Sequence, residues 1–142
     1  MPSEDMVQAW VRLVRAHRAA LGVVEGALKA AGLPALEWYD VLLELERHGA
    51  QRPRELQGRL LLAQYNLSRL LDRMAAAGLV ERRPCAEDGR GQLVAATAAG
   101  LAMRARMWPV YAAAIGEAVG ARLGEAETQV LAGLLGRLAG RA

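Results

Sequence analysis

The chain has 142 residues, 54% of which are hydrophobic, and carries 18 basic against 15 acidic side chains for a net charge of +3. This length and hydrophobic content suit a single folded domain with a core of its own. One cysteine excludes an internal disulfide framework and favours a reducing compartment. Glu4 and Asp5 stand where a signal peptide would be basic, and no apolar run reaches the ~18 residues of a membrane span. We therefore expect a soluble, cytoplasmic protein.

The first predicted element is a long helix over residues 5–31, along which side chains recur at alternating spacings of three and four. They line one narrow face: Val7, Trp10, Val14, His17, Leu21, Val24 and Leu28. A stripe of this length indicates a partner helix. Residues 98–142 are also more apolar than one short domain needs. Both segments are predicted to be dimerisation helices, the alternative being that they pack only within one subunit.

The central part of the chain, residues 35–97, is predicted to begin with a helix-turn-helix. A helix from Leu36 to Arg47 leads to a short helical segment that starts with Pro53, a residue favoured at the first helical position. After a three-residue connection, a second segment runs from Gln64 to Ala77. It stops at Gly78, which is typical of a left-handed helix cap.

A basic β-hairpin is predicted directly after that helix, with strands over 79–83 and 92–96. The net charge is −2 over residues 1–51, +3 over 52–90 and +2 over 91–142, so the positive excess begins with the helix-turn-helix. The predicted fold class is therefore mostly α with a small β-hairpin. It is a winged helix-turn-helix with N- and C-terminal dimerisation helices on a single chain of residues 1–142.

The segment from Gln64 to Ala77 has one packing face and one polar face. The packing face consists of Leu67, Leu70, Leu71 and Met74. The polar face holds the candidate DNA contacts Gln64, Tyr65, Asn66, Ser68, Arg69 and Arg73. Amide side chains pair with adenine edges and arginine with guanine or phosphate, and a helix of this width fits the major groove. An ordinary amphipathic surface helix has the same two faces, but the basic hairpin favours double-stranded DNA as the partner.

Four blocks of the sequence resemble the MarR family, dimeric winged helix-turn-helix transcriptional regulators. They are residues 66–74, 78–82, 88–90 and 97–100, and they occur in the order of the family. The resemblance implies a homodimer that binds a pseudo-palindromic operator, most often as a repressor. It also implies that Arg90 at the wing tip enters the minor groove or grips its phosphates, while Asp88 holds the guanidinium in place.

The chain departs from the family pattern at the starts of two helices. Ala63 and Tyr65 stand where a small hydroxyl residue usually caps the recognition helix, so the usual cap and phosphate contact are not expected. Tyr65 is expected to stack on a sugar or a thymine methyl group instead. Gly124 replaces the Ser or Thr expected before the last helix, which glycine tolerates at small cost.

The resemblance also implies a response to a small aromatic or anionic effector that weakens DNA binding. The candidate effector-binding residues are Trp10, His17, Trp38 and Met107, the alternative being that all four are ordinary core residues. Cys85 lies in the predicted wing beside two arginines and is a candidate redox sensor. The alternative there is an ordinary exposed thiol.

Catalysis and metal binding are not expected. His17, His48 and the single cysteine show no paired metal-ligand spacing, and there is no phosphate-binding glycine loop or nucleophile with a base. No cofactor is therefore predicted. The alternative to a DNA-binding regulator is a winged-helix scaffold that binds proteins and no longer reads a DNA sequence.

Overall fold

The computed structural model describes residues 1–85 and 91–140. In that part of the chain there are six α-helices, one π-helical turn and one two-stranded sheet. The elements in chain order are α1 (Glu4–Ala30), α2 (Leu36–His48), α3 (Pro53–Arg59), α4 (Leu67–Ala76), β1 (Val80–Pro84), β2 (Gln92–Ala96), α5 (Ala98–Ile115), the π turn (Gly116–Gly120) and α6 (Glu125–Leu138). The predicted fold class, mostly α with a small β-hairpin, is confirmed. Over the described residues, no helix combines the length and the apolar character that a membrane crossing requires.

The chain divides into two compact units. We call residues 32–109 the central unit, and residues 1–31 together with 110–142 the terminal unit. The helix-turn-helix and the hairpin both lie in the central unit, and α5 runs from that unit into the terminal one.

The core of the central unit is built by one apolar face from each of α2, α3 and α4, closed by the hairpin. Its buried side chains are Val41, Leu42, Leu45, Leu56, Leu67, Leu70, Leu71, Met74, Leu79, Val80 and Val94. Within α2 and α4, their spacing of three and four keeps them on one side, as a period of 3.6 residues requires. Each fully buried side chain of this size adds ~1.5–3 kcal/mol of hydrophobic stabilisation.

Glycines with positive φ angles follow two helices of the central unit, α2 and α4. Gly49 follows α2 with φ 74°, and Gly78 follows α4 with φ 78°. Residues with a Cβ avoid this conformation, so glycine is the residue that allows the chain to turn there. The predicted cap at Gly78 is confirmed.

The hairpin pairs antiparallel, with Val80 opposite Ala96 at its base. Residue Gln51, before α3, adds a short bridge to the outer edge of β2: its backbone N–H donates to Val94 O at 2.9 Å and its O accepts from Val94 N–H at 2.7 Å. The Gln51 side chain is buried and donates to the backbone O of Glu44 at 3.0 Å. The middle of β2 is therefore tied by backbone hydrogen bonds to the segment before α3, and that segment is tied to α2 by a side-chain hydrogen bond.

The start of α5 is in close contact with the turn that follows α4. Thr97 Oγ donates to Gly78 O at 2.6 Å and accepts from the backbone N–H of Gly100 at 3.0 Å, so one hydroxyl caps α5 and joins it to the turn before β1. Gly100 lies so close to the backbone of Leu79 that a Cβ would overlap the carbonyl oxygen. A glycine is required here by close approach rather than by its φ angle.

The terminal unit leaves most of its apolar side chains exposed in the single chain. In α1 only Val24 and Leu28 are buried, and no described residue of α6 is buried. The exposed large apolar side chains of this unit include Met6, Val7, Trp10, Val14, Ile115, Val130, Leu131, Leu134, Leu135 and Leu138. Single exposed apolar residues are common on protein surfaces. Ten of them in one small unit indicate a surface that binds a partner.

Candidate nucleic-acid interface

Helix α4 presents the two faces that its sequence pattern predicts. Leu67, Leu70, Leu71 and Met74 are buried in the core of the central unit. The exposed side carries Ser68, Arg69, Asp72 and Arg73. Arg69 and Arg73 have no hydrogen-bond or ion-pair partner among residues 1–85 and 91–140, and α4 exposes one serine hydroxyl beside them. Their guanidinium groups are thus available to an anionic ligand.

The predicted start of this helix is wrong by three residues. The helix begins at Leu67 rather than Gln64, and the connection from α3 spans residues 60–66 rather than three residues. Asn66 is the N-cap, and its side-chain oxygen accepts from the backbone N–H of Arg69 at 3.3 Å. The recognition helix therefore has a side-chain cap, in which the amide of Asn66 takes the place of the usual hydroxyl.

Gln64 and Tyr65 accordingly lie in the connection rather than on the helix. The Gln64 side chain donates to Glu37 Oε2 at 3.3 Å, and its backbone O accepts from Gln57 Nε2 at 3.1 Å. Tyr65 is fully exposed, at 103% of its reference area. A phenol ring held outside the fold next to the start of α4 can stack on a flat or apolar ligand surface.

Asp40 of α2 fixes the same connection from inside the central unit. Its two carboxylate oxygens accept from the backbone N–H groups of Leu61 at 3.0 Å and Leu62 at 2.8 Å. Burial raises the pKa of Asp40 above its ordinary value; the two N–H bonds act in the opposite direction and the nearby Glu44 adds a smaller increase. Sequence reasoning missed this residue, although an acidic side chain between Tyr39 and Val41 on a buried stripe was a signal of a polar contact.

The wing strand β1 carries two arginines that are already paired within the chain. Arg82 Nη2 lies 2.8 Å from Asp72 Oδ1, and Arg83 contacts Glu81 at 2.6 and 2.8 Å. The predicted wing-tip contacts, Asp88 and Arg90, lie outside the described residues. The described part of the wing therefore offers paired rather than free cations.

A shallow groove of about 390 Å³ lies between the starts of α3 and α4 and strand β1. Its lining is formed by Pro53, Arg54, Gln57, Tyr65, Asn66, Leu67, Ser68, Leu71 and Arg82. Two guanidinium groups, two amides and a hydroxyl stand on this surface beside the polar face of α4. The surface is suited to a polyanion that carries flat bases, because it combines cations with an exposed aromatic ring.

The four candidate effector residues fall in different parts of the chain. Trp10 and His17 are exposed on α1 in the terminal unit. Trp38 is half-buried against the core of the central unit, and Met107 in that unit is completely buried. Tyr39 and Trp108 stack with ring centroids 6.2 Å apart. Met107 is thus a packing residue of the single chain, whereas Trp10 and His17 are open to a partner.

Cys85 is buried at the end of β1, at 5% exposure, so the expectation of an ordinary exposed thiol is wrong. Arg52 Nη2 donates to its sulfur at 3.4 Å. This contact joins the residue after β1 to the residue before α3, 33 positions away in the chain. Across the described residues, no three His, Cys, Asp or Glu side chains are placed to hold a metal ion.

A capped recognition helix over a shared core, followed by an antiparallel wing, defines a winged helix-turn-helix protein. Residues 31–91 match the sequence model of the MarR family. Over nearly its whole length, the chain has the fold of solved MarR family transcriptional regulators. No curated protein sequence matches it significantly.

Solved structures agree with this fold over nearly the full length. Bordetella bronchiseptica BpsR, whose DNA binding is regulated by 6-hydroxynicotinic acid, is similar with a TM-score of 0.85 at 22% identity, over 98% of each chain. A MarR family transcriptional regulator from Streptomyces coelicolor in complex with DNA has a TM-score of 0.85 at 24% identity, over 98% of this chain and 88% of that one. A mutant MarR from E. coli complexed with operator DNA has a TM-score of 0.81 at 24% identity, over 97% and 99%.

Proposed function

We propose that this protein is a sequence-specific DNA-binding transcriptional regulator, acting as a repressor, that binds a pseudo-palindromic operator as a homodimer. The observation that carries the proposal is the exposed side of α4, where Arg69 and Arg73, which have no partner among residues 1–85 and 91–140, stand beside Ser68 and a capped helix start. Proteins of this fold have been solved in complex with DNA, from Streptomyces coelicolor, and with operator DNA, from E. coli, which supports a DNA-binding role. Such a regulator works where the DNA is, so the proposal includes a cytoplasmic location.

The proposed contacts divide into those of the helix, the connection and the wing. Arg69 and Arg73 would contact guanine edges or phosphates, and Ser68 a phosphate. Tyr65 would stack on a sugar or a thymine methyl group, while Asn66 would offer its amide N–H groups and Gln64 its amide oxygen and remaining N–H. Asp88 and Arg90 keep the minor-groove role that the family resemblance implies for the wing tip.

The homodimer is proposed from the exposed apolar surface of the terminal unit. A groove of about 430 Å³ on α6 is lined by Leu123, Ala126, Glu127, Val130, Leu131 and Leu134, and α1 exposes a second apolar stripe. A second copy of the chain would cover both stripes. Two-fold symmetry would then place two recognition helices one turn of DNA apart, about 34–36 Å, which is why the operator is expected to be a pseudo-palindrome.

We also propose that a small aromatic or anionic effector regulates DNA binding. BpsR, a protein of this fold, has its DNA binding regulated by such a molecule. In this chain the aromatic and imidazole groups of Trp10 and His17 are exposed and Trp38 is half-buried, so three of the four candidate residues are accessible to a ligand. No catalytic role is part of the proposal.

The experiment that tests the function is selection of the purified protein against a random duplex pool at about 150 mM salt, where non-specific phosphate binding is weak. We expect enrichment of a pseudo-palindrome with half-sites one turn apart. Absence of enrichment would contradict the proposal and favour a protein-binding scaffold.

The selected operator then tests the polar face of α4. Arg69→Ala removes one cation that has no partner in the described part of the chain, so it should weaken binding and reduce the slope of log affinity against log salt by about one unit. Arg122→Ala, which removes an exposed arginine of the terminal unit, is the matched control and should leave the slope unchanged. Equal effects of the two substitutions would show that α4 is not the DNA-contacting surface.

A further inference from the structure

One ion pair joins the wing to the recognition helix. Arg82 Nη2 of β1 contacts Asp72 Oδ1 of α4 at 2.8 Å and the backbone O of Ser68 at 3.4 Å. Ser68 and Asp72 are one helical turn apart, so a single guanidinium spans a full turn of the recognition helix. Arg82 is the more enclosed partner, with 31% of its side chain exposed against 65% for Asp72.

Asp72 carries a negative charge on a face that otherwise suits phosphate. It lies between Arg69 and Arg73 in sequence and is exposed with them. An unpaired carboxylate there would repel the DNA backbone, whereas a carboxylate paired with Arg82 adds no net charge to the surface. The second arginine pair of the wing, Arg83 with Glu81, joins neighbours within one strand and links no two elements.

The pairing also decides what Arg82 can do. Arg82 lines the same groove as Arg54 and Tyr65, so a free guanidinium at this point would be able to contact phosphate. A guanidinium held by Asp72 and by Ser68 O is instead a tie between β1 and α4. Sequence-independent affinity for DNA depends on the number of phosphates that cations neutralise, and each such contact steepens the salt dependence.

We propose that Asp72 keeps Arg82 from contacting phosphate, so that Arg82 acts as a positioning residue between wing and recognition helix and Asp72 raises the specificity of DNA binding. The inference rests on the proposed DNA-binding function. The two residues together lower non-specific affinity and fix the wing relative to α4, without either one reading a base.

The test is a cycle of Asp72→Ala, Arg82→Ala and the double variant, on the selected operator and on a shuffled duplex of the same composition. Asp72→Ala frees Arg82, so on the shuffled duplex the slope of log affinity against log salt should steepen by about 0.9. The ratio of operator affinity to shuffled-duplex affinity should fall. Arg82→Ala should leave the slope on the shuffled duplex unchanged, because no phosphate contact is lost, and should weaken binding to both duplexes, because it leaves the Asp72 carboxylate unpaired.

The double variant shows whether the steeper salt slope of Asp72→Ala comes from the freed Arg82 or from the loss of the carboxylate. If the steeper slope comes from Arg82, adding Asp72→Ala to the Arg82→Ala protein will not change the slope. Glu25→Ala, the same charge change on exposed α1, is the control and should leave both slopes as in the wild type. Because a partly exposed ion pair adds little stability, all variants should fold with melting temperatures close to the wild type.

An unchanged slope in Asp72→Ala overturns the inference, as does a slope about one unit shallower in Arg82→Ala, which would show that Arg82 already binds phosphate. The proposed function fails differently. If the wild-type protein binds both duplexes equally, the proposed sequence specificity is wrong. The salt slopes on the shuffled duplex would still decide the role of Arg82. A wild-type protein that binds neither duplex overturns both.

Discussion

Gly100 is the position where one added methyl group should do most damage to the central unit. A Cβ on this residue would lie 2.0 Å from Leu79 O and 3.0 Å from Leu42 Cδ2, whereas carbon contacts are most favourable at about 3.5–4.0 Å. Leu79 O cannot move freely, because it accepts from the backbone N–H of Thr97 at 3.0 Å. Gly100→Ala therefore has to shift the backbone at the base of the wing by more than about 1 Å.

Overpacking of a rigid core costs ~1–3 kcal/mol, and a required backbone shift puts this site at the upper end. The higher helix propensity of alanine offsets ~0.5–1 kcal/mol. We therefore expect Gly100→Ala to lower the free energy of unfolding by about 2 kcal/mol. Guanidinium denaturation at one fixed protein concentration measures this, since dimerisation would make stability depend on concentration.

Gly58→Ala is the matched control for that measurement. It places the same methyl group in α3, where nothing lies within 4 Å of the new Cβ, so it should raise stability by about 0.5–1 kcal/mol. If Gly100→Ala unfolds at the same denaturant concentration as Gly58→Ala, the close approach to Leu79 does not constrain the fold, and the reasoning fails.

Two other substitutions probe Asp40 and the exposed face of α6. Burial raises the pKa of Asp40 above 3.8, so its contribution to stability is complete below that pH and is lost as pH rises through the folded-state pKa. Urea denaturation between about pH 4 and pH 7 should thus show the wild type losing stability relative to Asp40→Asn as pH rises; a constant difference would contradict this. Leu134→Asp, at a side chain 49% exposed in the single chain, should convert the dimer to monomers in sedimentation velocity without loss of helix. Glu117→Gln is its exposed control, and an unchanged sedimentation coefficient for Leu134→Asp would place the dimer contact elsewhere.

The elements that sequence predicted well are those whose signals are local. Leu67, Leu70, Leu71 and Met74 are close in the chain, so their spacing alone determines that they share one buried face. Gly78 lies at the end of that pattern, and the hairpin follows at once. The same argument explains why the exposed stripe of α1 could be recognised before any contact was known.

The features that could not be predicted from the sequence depend on contacts between residues far apart in the chain. Asp40 meets the backbone of Leu61 and Leu62 more than 20 positions away, and no pattern within α2 shows which groups it will bind. Cys85 is buried beside Arg52, 33 positions away, so its exposure could not be read from the arginines next to it. The missed contacts of Asp40 and the wrong expectation for Cys85 both arise from tertiary packing and not from misread propensity.

The start of α4 was predicted wrongly for a different reason. The observed start affects which residues are free to contact DNA. The polar pattern from Gln64 onward suits a helix, but the first turn is decided by the residue whose side chain satisfies a free backbone N–H, which is Asn66. Bidentate pairing with adenine would need the same amide to turn away from the helix and give up a cap worth ~1 kcal/mol, against the ~1–3 kcal/mol that such a pair contributes. Arg69 and Arg73 give up no contact within the described residues when they bind. The physical cost therefore favours the two arginines as readers and leaves Asn66 to hold the helix that presents them.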